Sequence, residues 1–296
     1  MDHVDLHFTE ALQPAEMARV AENSGVAKAH QEPVKTILLA VLAGAFIAFG
    51  ALFATLVTSG SSLPYGLTRL IGGLAFSLGL ILVVVGGAEL FTGNNLLSMA
   101  WANRKLSMNH MLGNWFLVYL GNMAGAFSIV VMMLFSRHYL FGNGITGTNI
   151  LHIAESKCQL GFIQAISLGI LCNILVCMAI WLCYSARSAQ GKILAIIFPI
   201  TAFVAAGFEH SVANMYFIPM GLMVKDFADP QLWNMTGISP SQFGSLTWVN
   251  YLINNLAPVT IGNIIGGSLF VGGAYWFLYL RKHQTGQKKV QYDERS

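Results

Sequence analysis

Charge is scarce in this chain. Asp, Glu, Lys and Arg together supply 10% of its 296 residues and hydrophobic types supply 55%, whereas an ordinary soluble domain is about a quarter charged. A soluble globular domain is excluded, and an integral membrane protein is the class that remains. Strict alternation of apolar and polar residues is also missing, which argues against a transmembrane barrel. Paired cysteines are missing too. Cys172, Cys177 and Cys183 lie along one apolar stretch and Cys158 just before it, with no CxxC pair and no His at ligand spacing. They read as small, soft packing residues, and neither a metal nor another cofactor is expected. No basic run carries interleaved aromatics, so the net charge of +3 belongs to Lys and Arg flanking membrane spans and no nucleic-acid partner is expected.

Six long regions poor in charge are present, at about residues 36–58, 70–103, 106–136, 158–186, 193–224 and 247–280. Each meets the roughly 20 residues that a helix needs to cross hydrocarbon. The predicted organisation is therefore a cytoplasmic N-terminal segment over 1–35, a six-helix transmembrane domain over 36–280 and a cytoplasmic tail over 281–296. Of the 16 Lys and Arg, 12 fall on one side of the spans and Arg69, Arg137, Lys157 and Lys225 on the other, so the positive-inside bias places both termini in the cytoplasm. Residues 1–35 are polar and lack an apolar core followed by a small-residue cleavage site, which predicts a retained segment and not a signal peptide. Within it, "LQPAEMARVAENSGVAKA" puts Pro14 at a first helical turn, Met17, Val20 and Ala21 on one face, and Gly25 as a stop. That pattern reads as a short amphipathic helix against the cytoplasmic side, serving as a lid, a subunit contact or a passive anchor.

The second region runs about 34 residues without Lys or Arg, which as one helix would measure about 50 Å against a hydrocarbon thickness near 30 Å. It needs an interruption, and "GAELFTGNN" supplies one through Gly86, Gly87, Glu89, Gly93, Asn94 and Asn95. The fifth region has the same length problem and a matching break at "GFEHSVANM". Aligned, the breaks share Gly87, Glu89, Gly93 and Asn94 with Gly207, Glu209, Ala213 and Asn214. The third span of each half also matches, "YLGNMAGA" at 119–126 against "TIGNIIGG" at 260–267. Two independent matches in corresponding spans predict an internal repeat, and three spans per half make it inverted. Inverted repeats with broken helices at equivalent positions point to a permeation site where the breaks meet, because non-helical backbone at that depth is tolerated only against protein or a cavity. The chain reads as a conduit for a small polar or anionic solute.

Three intramembrane residues stand out for their cost in hydrocarbon: Glu89, Glu209 and His210. The two carboxylates are related by the repeat and suit a structural task, accepting hydrogen bonds from N–H groups freed at each break. His210 aligns with Leu90, so the repeat does not demand it, and an asymmetric imidazole at a symmetric break fits a solute contact or a proton relay. Thr92 offers a hydroxyl to the lumen or to its own backbone. Phe76, Leu80, Leu90, Phe91, Val176 and Phe203 fit either apolar constrictions or ordinary packing. A membrane-embedded enzyme using Glu209 and His210 as acid and base is a distant alternative, since HExxH, a further ligand and a nucleophile motif are all missing.

"GAELFTGN", "GILCNILVCMAIW" at 169–181 and "GFEHSVANM" resemble, in order, three signatures of the formate/nitrite transporter family, and the resemblance runs from about Phe8 to Arg281. "YSARS" at 184–188, "PVTIGNIIGG" at 258–267 and the closing "YWFLYLR" resemble its formate branch. The resemblance implies an all-α protomer arranged like an aquaporin, with its second and fifth helices broken. It also implies a homopentamer in the lipid bilayer of a bacterial inner membrane, each protomer with its own pore. The implied activity is bidirectional formate transport with pH-dependent, proton-coupled uptake, with nitrite or hydrosulfide transport as the alternative. By position, His210 matches the central pore histidine and Thr92 the threonine of the first break. Lys157, Asn173, Glu209 and Asn263 match polar residues that shape the field or hold the histidine. Phe76 and Phe203 match the extracellular-side constriction, and Leu80, Leu90, Phe91 and Val176 the cytoplasmic one. The N-terminal helix resembles a segment that opens and closes the cytoplasmic mouth with pH, and a cytosolic formate-producing enzyme is an implied partner.

Overall fold

The computed structural model describes residues 11–281, all helix and loop. The first ten residues of the expected N-terminal segment and the expected tail beyond Arg281 lie outside the described residues. In chain order the elements are α1 (Pro14–Ala29), α2 (Pro33–Thr58), α3 (Tyr65–Gly86), the short α4 (Phe91–Asn94) and α5 (Leu97–Ala102), and α6 (Met108–Phe135). The second half follows with α7 (Ile145–Cys158), α8 (Phe162–Ser185), α9 (Ala189–Ala206), α10 (Ser211–Phe227), α11 (Pro230–Thr236) and α12 (Asn250–Leu280), the last with wide π-type turns. Six of these, α2, α3, α6, α8, α9 and α12, are long and apolar enough to cross a membrane. The first span starts at Pro33, three residues earlier than expected, because proline is well tolerated where an N–H would go unpaired anyway.

Packing follows the repeat. Helix α2 packs on α3 and α6, α8 packs in the same way on α9 and α12, and α3 against α9 joins the halves. The glycines of the matched motifs permit the tightest crossings. A Cβ on Gly125 would fall on the main-chain carbonyl of Val41, and one on Gly266 on that of Ile170. Small residues four apart let two backbones approach in this way.

Both expected breaks are present, and they end alike. Helix α3 stops at Gly86 and turns through Gly87 in the left-handed region (φ 79°), with the Ala88 N–H donating to Val83 O at 2.9 Å. Helix α9 stops at Ala206 and turns through Gly207 (φ 76°), with the Phe208 N–H donating to Phe203 O at 3.0 Å. Glycine is favoured there because a Cβ penalises that conformation. The chain is then extended as far as Leu90 and His210, and helix resumes at Phe91 and Ser211.

Two expectations for α1 are corrected. Gly25 does not stop the helix, which runs on to Ala29; instead Gly25 is buried, 3.4 Å from the Leu97 Cα as measured from where its Cβ would stand. Val20 is exposed, while Met17 and Ala21 are buried with Trp181 and Val271. The helix is thus a packed part of the protomer. Buried Glu22 holds it to the α5–α6 turn by accepting from Asn103 and pairing with Lys105 at 2.5 Å. Helix α7 lies in a loop where six spans alone gave no reason to expect one.

Candidate functional site

Each break is braced by one carboxylate, one lysine and three asparagines, and the two sets correspond residue by residue. In the first, the Glu89 N–H donates to Leu39 O at 3.2 Å, and its carboxylate takes the Lys28 ammonium at 3.0 Å and the Asn94 amide at 2.7 Å. Asn94 also donates to Asn114 at 2.9 Å, and Asn114 donates to Lys28 O at 3.2 Å. In the second, the Glu209 N–H donates to Leu168 O at 3.3 Å, and its carboxylate takes Lys157 at 2.6 Å and Asn214 at 2.6 Å. Asn214 donates to Asn255 at 2.7 Å, and Asn255 donates to Lys157 O at 3.0 Å. Contrary to the expectation from sequence, the carboxylates do not take the freed main-chain N–H groups; they accept from lysine and asparagine side chains, so that each anion is neutralised and each break is tied to its neighbouring span.

This correspondence extends the repeat beyond three spans. Lys28 comes from α1 and Lys157 from α7, so α1 stands to the first half as α7 does to the second. Asn122 and Asn263 complete the scheme. Each accepts from the first N–H of a resumed helix, Phe91 or Ser211, at 2.9 Å. Each also donates to Glu89 O or Glu209 O, at 2.9 and 3.0 Å.

The breaks meet at Thr92 and His210, both fully enclosed, with Thr92 Oγ1 2.9 Å from His210 Nε2. The Ala213 N–H donates to His210 Nδ1 at 3.0 Å, so His210 caps α10. In the neutral ring Nδ1 is therefore the acceptor, Nε2 carries the hydrogen, and Nε2–H donates to Thr92. Asn173 sits behind Thr92, donating to Thr92 O at 3.2 Å, Asn95 Oδ1 at 2.8 Å and Asn263 O at 2.7 Å. The structure thus gathers Thr92, Asn173, Glu209, His210 and Asn263 around one point, with Lys157 one contact further out.

Two cavities approach that point from opposite ends. One, of about 330 Å³ beside α7, is lined by Arg69, Phe76, Lys157, Phe203, Glu209 and His210 among others. The other, of about 260 Å³ beside α1, is lined by Lys28, Glu89, Leu90, Tyr184 and Lys192 among others. Phe76 and Phe203 meet edge to face at 5.5 Å, and Phe203 lies 6.0 Å from the His210 ring, so an aromatic pair stands beside the histidine in the wall of the α7 vestibule. Leu90 faces the α1 vestibule, while Leu80 and Val176 are buried in the wall and line neither cavity. Phe91 is also buried, with its ring on Tyr119 at 4.9 Å and Trp115 at 6.3 Å.

Broken helices, mirrored braces and opposed vestibules describe a conduit, and a profile described as formate/nitrite transporter matches residues 15–277. The chain belongs to the formate/nitrite transporter family. It is 47% identical over 275 residues to the formate channel FocA of Escherichia coli strain K12, covering 93% of this chain and 96% of that one. It is 41% identical to FocA of Haemophilus influenzae, covering 88% and 93%. Among solved structures, a pentameric formate channel with formate bound is 46% identical, with a TM-score of 0.80 over 84% of this chain and 98% of that one. Membership of a formate/nitrite transporter family makes the chain a transporter and sets aside the membrane-embedded enzyme. What sequence reading missed is the brace around Glu89. Lys28 precedes the start of α2 by the same five residues that separate Lys157 from the start of α8, and that spacing was the available signal.

Proposed function

We propose that the protein is a formate channel of the bacterial inner membrane, working as a homopentamer with one pore per protomer and both termini cytoplasmic. The observation that carries this reading is the Thr92–His210 contact, set between two vestibules where two broken helices meet. Formate loses water at the Phe76–Phe203 pair and, from the other side, at the slit bounded by Leu90 and backed by Leu80, Phe91 and Val176. Between the slits, the Thr92 hydroxyl and His210 Nε2–H replace that water. Lys157 and Glu209, paired at 2.6 Å, hold the second break beside the histidine, and Asn173 and Asn263 hold the two loops in place. An uncharged acid crosses apolar slits far more readily than its anion. At low external pH, His210 takes a proton at Nδ1 in place of the Ala213 N–H bond and gives its Nε2 proton to formate; formic acid moves on, and the ring, neutral again, resets when the Nδ1 hydrogen is exchanged back to Nε2. Near neutrality the pore exports formate down its gradient.

The test is formate flux into proteoliposomes at two external pH values, for the intact protein and for His210→Ala, with nitrite and hydrosulfide in parallel. Rapid formate flux whose pH response vanishes in the variant is expected. A variant with unchanged pH response would reduce His210 to a helix cap, and faster nitrite or hydrosulfide flux would reassign the solute.

A further inference from the structure

The broken helix α9 ends at the α7 vestibule with its carbonyls outward, and a helix C-terminus carries about half a negative charge. An approaching anion would meet that end first. The Gly207 turn satisfies Phe203 O and shares Val204 O. Arg69, from the start of α3, crosses to the remainder: its Nε donates to Ala205 O at 3.0 Å and its Nη2 to Val204 O. A Cβ on Gly207 would stand 3.2 Å from Arg69 Nη2, so the bare turn also makes room for the guanidinium.

The charges of the vestibule give this contact its meaning. Lys157 is neutralised by Glu209 at 2.6 Å. Arg69 has no ion pair among the described residues, and its partners are carbonyls with only partial charge. The cavity wall therefore holds two cations and one carboxylate, a net charge of +1. The opposite vestibule repeats the count with Lys28, Glu89 and Lys192, the last from the start of α9.

We propose that Arg69 is the anion-recruiting residue of the α7 vestibule, turning a repelling helix end into an attracting one. The net charge of +1 in each cavity lining favours an anion from either side. The inference rests on reading the pore as an anion path, and it is tested without relying on transport.

Tyr65 is exposed and lines the same vestibule, while all four native cysteines are buried. Tyr65→Cys thus gives one reporter thiol. Its modification rates with an anionic and a cationic methanethiosulfonate reagent give a ratio that measures local potential. Arg69→Gln is expected to lower the anionic-to-cationic ratio by about threefold or more, Arg69→Lys to keep most of it, and rising salt to erase it with Arg69 intact. Formate influx at subsaturating concentration falls in Arg69→Gln and recovers in Arg69→Lys. A ratio unmoved by both salt and Arg69→Gln, with flux nevertheless reduced, overturns the proposal and leaves Arg69 as a brace for α9. If the intact protein moves no formate while the ratio still falls, recruitment stands and the formate reading fails instead. Should Arg69→Gln not assemble, Arg69→Met supplies the uncharged side chain for the same ratio, and a ratio equal to that of the intact protein overturns the proposal.

Discussion

Asn122 and Asn263 hold the two breaks by the same three contacts. Each side-chain oxygen accepts the first N–H of a resumed helix, and each amide bridges a glutamate carbonyl to the carbonyl of a neighbouring span, Ala40 O or Gly169 O, at 2.8 Å. Truncating either asparagine strands two main-chain groups that water cannot reach, the first N–H of the resumed helix and the glutamate carbonyl, at about 1–3 kcal/mol for each one left unpaired, while Ala40 O and Gly169 O keep their partners within α2 and α8. Asn122→Ala and Asn263→Ala are expected to lower the thermal midpoint in detergent by similar amounts. Asn254→Ala, which gives up one half-exposed bond to Asn250 at 2.9 Å, is expected to change it little. Equal midpoints for all three would dismiss the brace.

The two lysine–glutamate pairs differ in depth. The Lys157 side chain is 16% exposed and that of Lys28 is 30% exposed, while both glutamates are nearly dry. Removing one partner of a buried pair leaves an uncompensated charge and costs about 3–5 kcal/mol, whereas neutral replacement of both is much milder. Lys157→Met is therefore expected to destabilise more than Lys28→Met, and Lys157→Met with Glu209→Gln to recover more than half of the loss. A thermal double-mutant cycle measures this. Strict additivity would mean that the pair contributes no coupling.

These pairs also mark where the sequence stopped being legible. The six spans, both breaks and the Gly-Asn motifs were readable because hydropathy, length and short motifs are local properties. The kinship of α1 and α7 was not, because "VAKAHQEPV" and "ESKCQLGFI" share little besides a lysine, and its position matters only once each helix folds back on its own break. Gly25 misled for a related reason. Within a helix, glycine marks a stop or a close approach, and only the presence of Leu97 opposite decides between them. The sequence marks Thr92 and His210 separately, and the 2.9 Å between them needs the fold, since 118 positions separate them.

Gly125 and Gly266 test the repeat through packing. Alanine at either would set a methyl group against a main-chain carbonyl of the neighbouring span, and a backbone carbonyl cannot swing aside as a side chain can. Gly125→Ala and Gly266→Ala are expected to abolish recovery of monodisperse protein. Gly113→Ala, on the same helix as Gly125 but with nothing within 4 Å of its added carbon, is expected to behave as the parent or slightly better. Size-exclusion profiles of the three separate the cases, and a well-behaved Gly125→Ala would contradict the close crossing.

Thr92 gives the most direct reading of the pore. His210 Nδ1 is occupied by the Ala213 N–H, so Nε2–H points at Thr92 Oγ1 and the threonine hydroxyl hydrogen is not spent in that contact; under the proposed function it is the donor to the passing anion. Thr92→Ser preserves this hydrogen and is expected to keep formate flux within about twofold. Thr92→Val keeps the shape but removes both the acceptor for Nε2–H and the donor for the solute, and loss of about one net hydrogen bond corresponds to roughly three- to tenfold slower flux. The main-chain Thr92 O still receives Asn173 in either variant, so stability should change less than flux. Parallel thermal midpoints with diverging flux would place the hydroxyl in the path, whereas matched losses in both would make Thr92 a structural partner of His210.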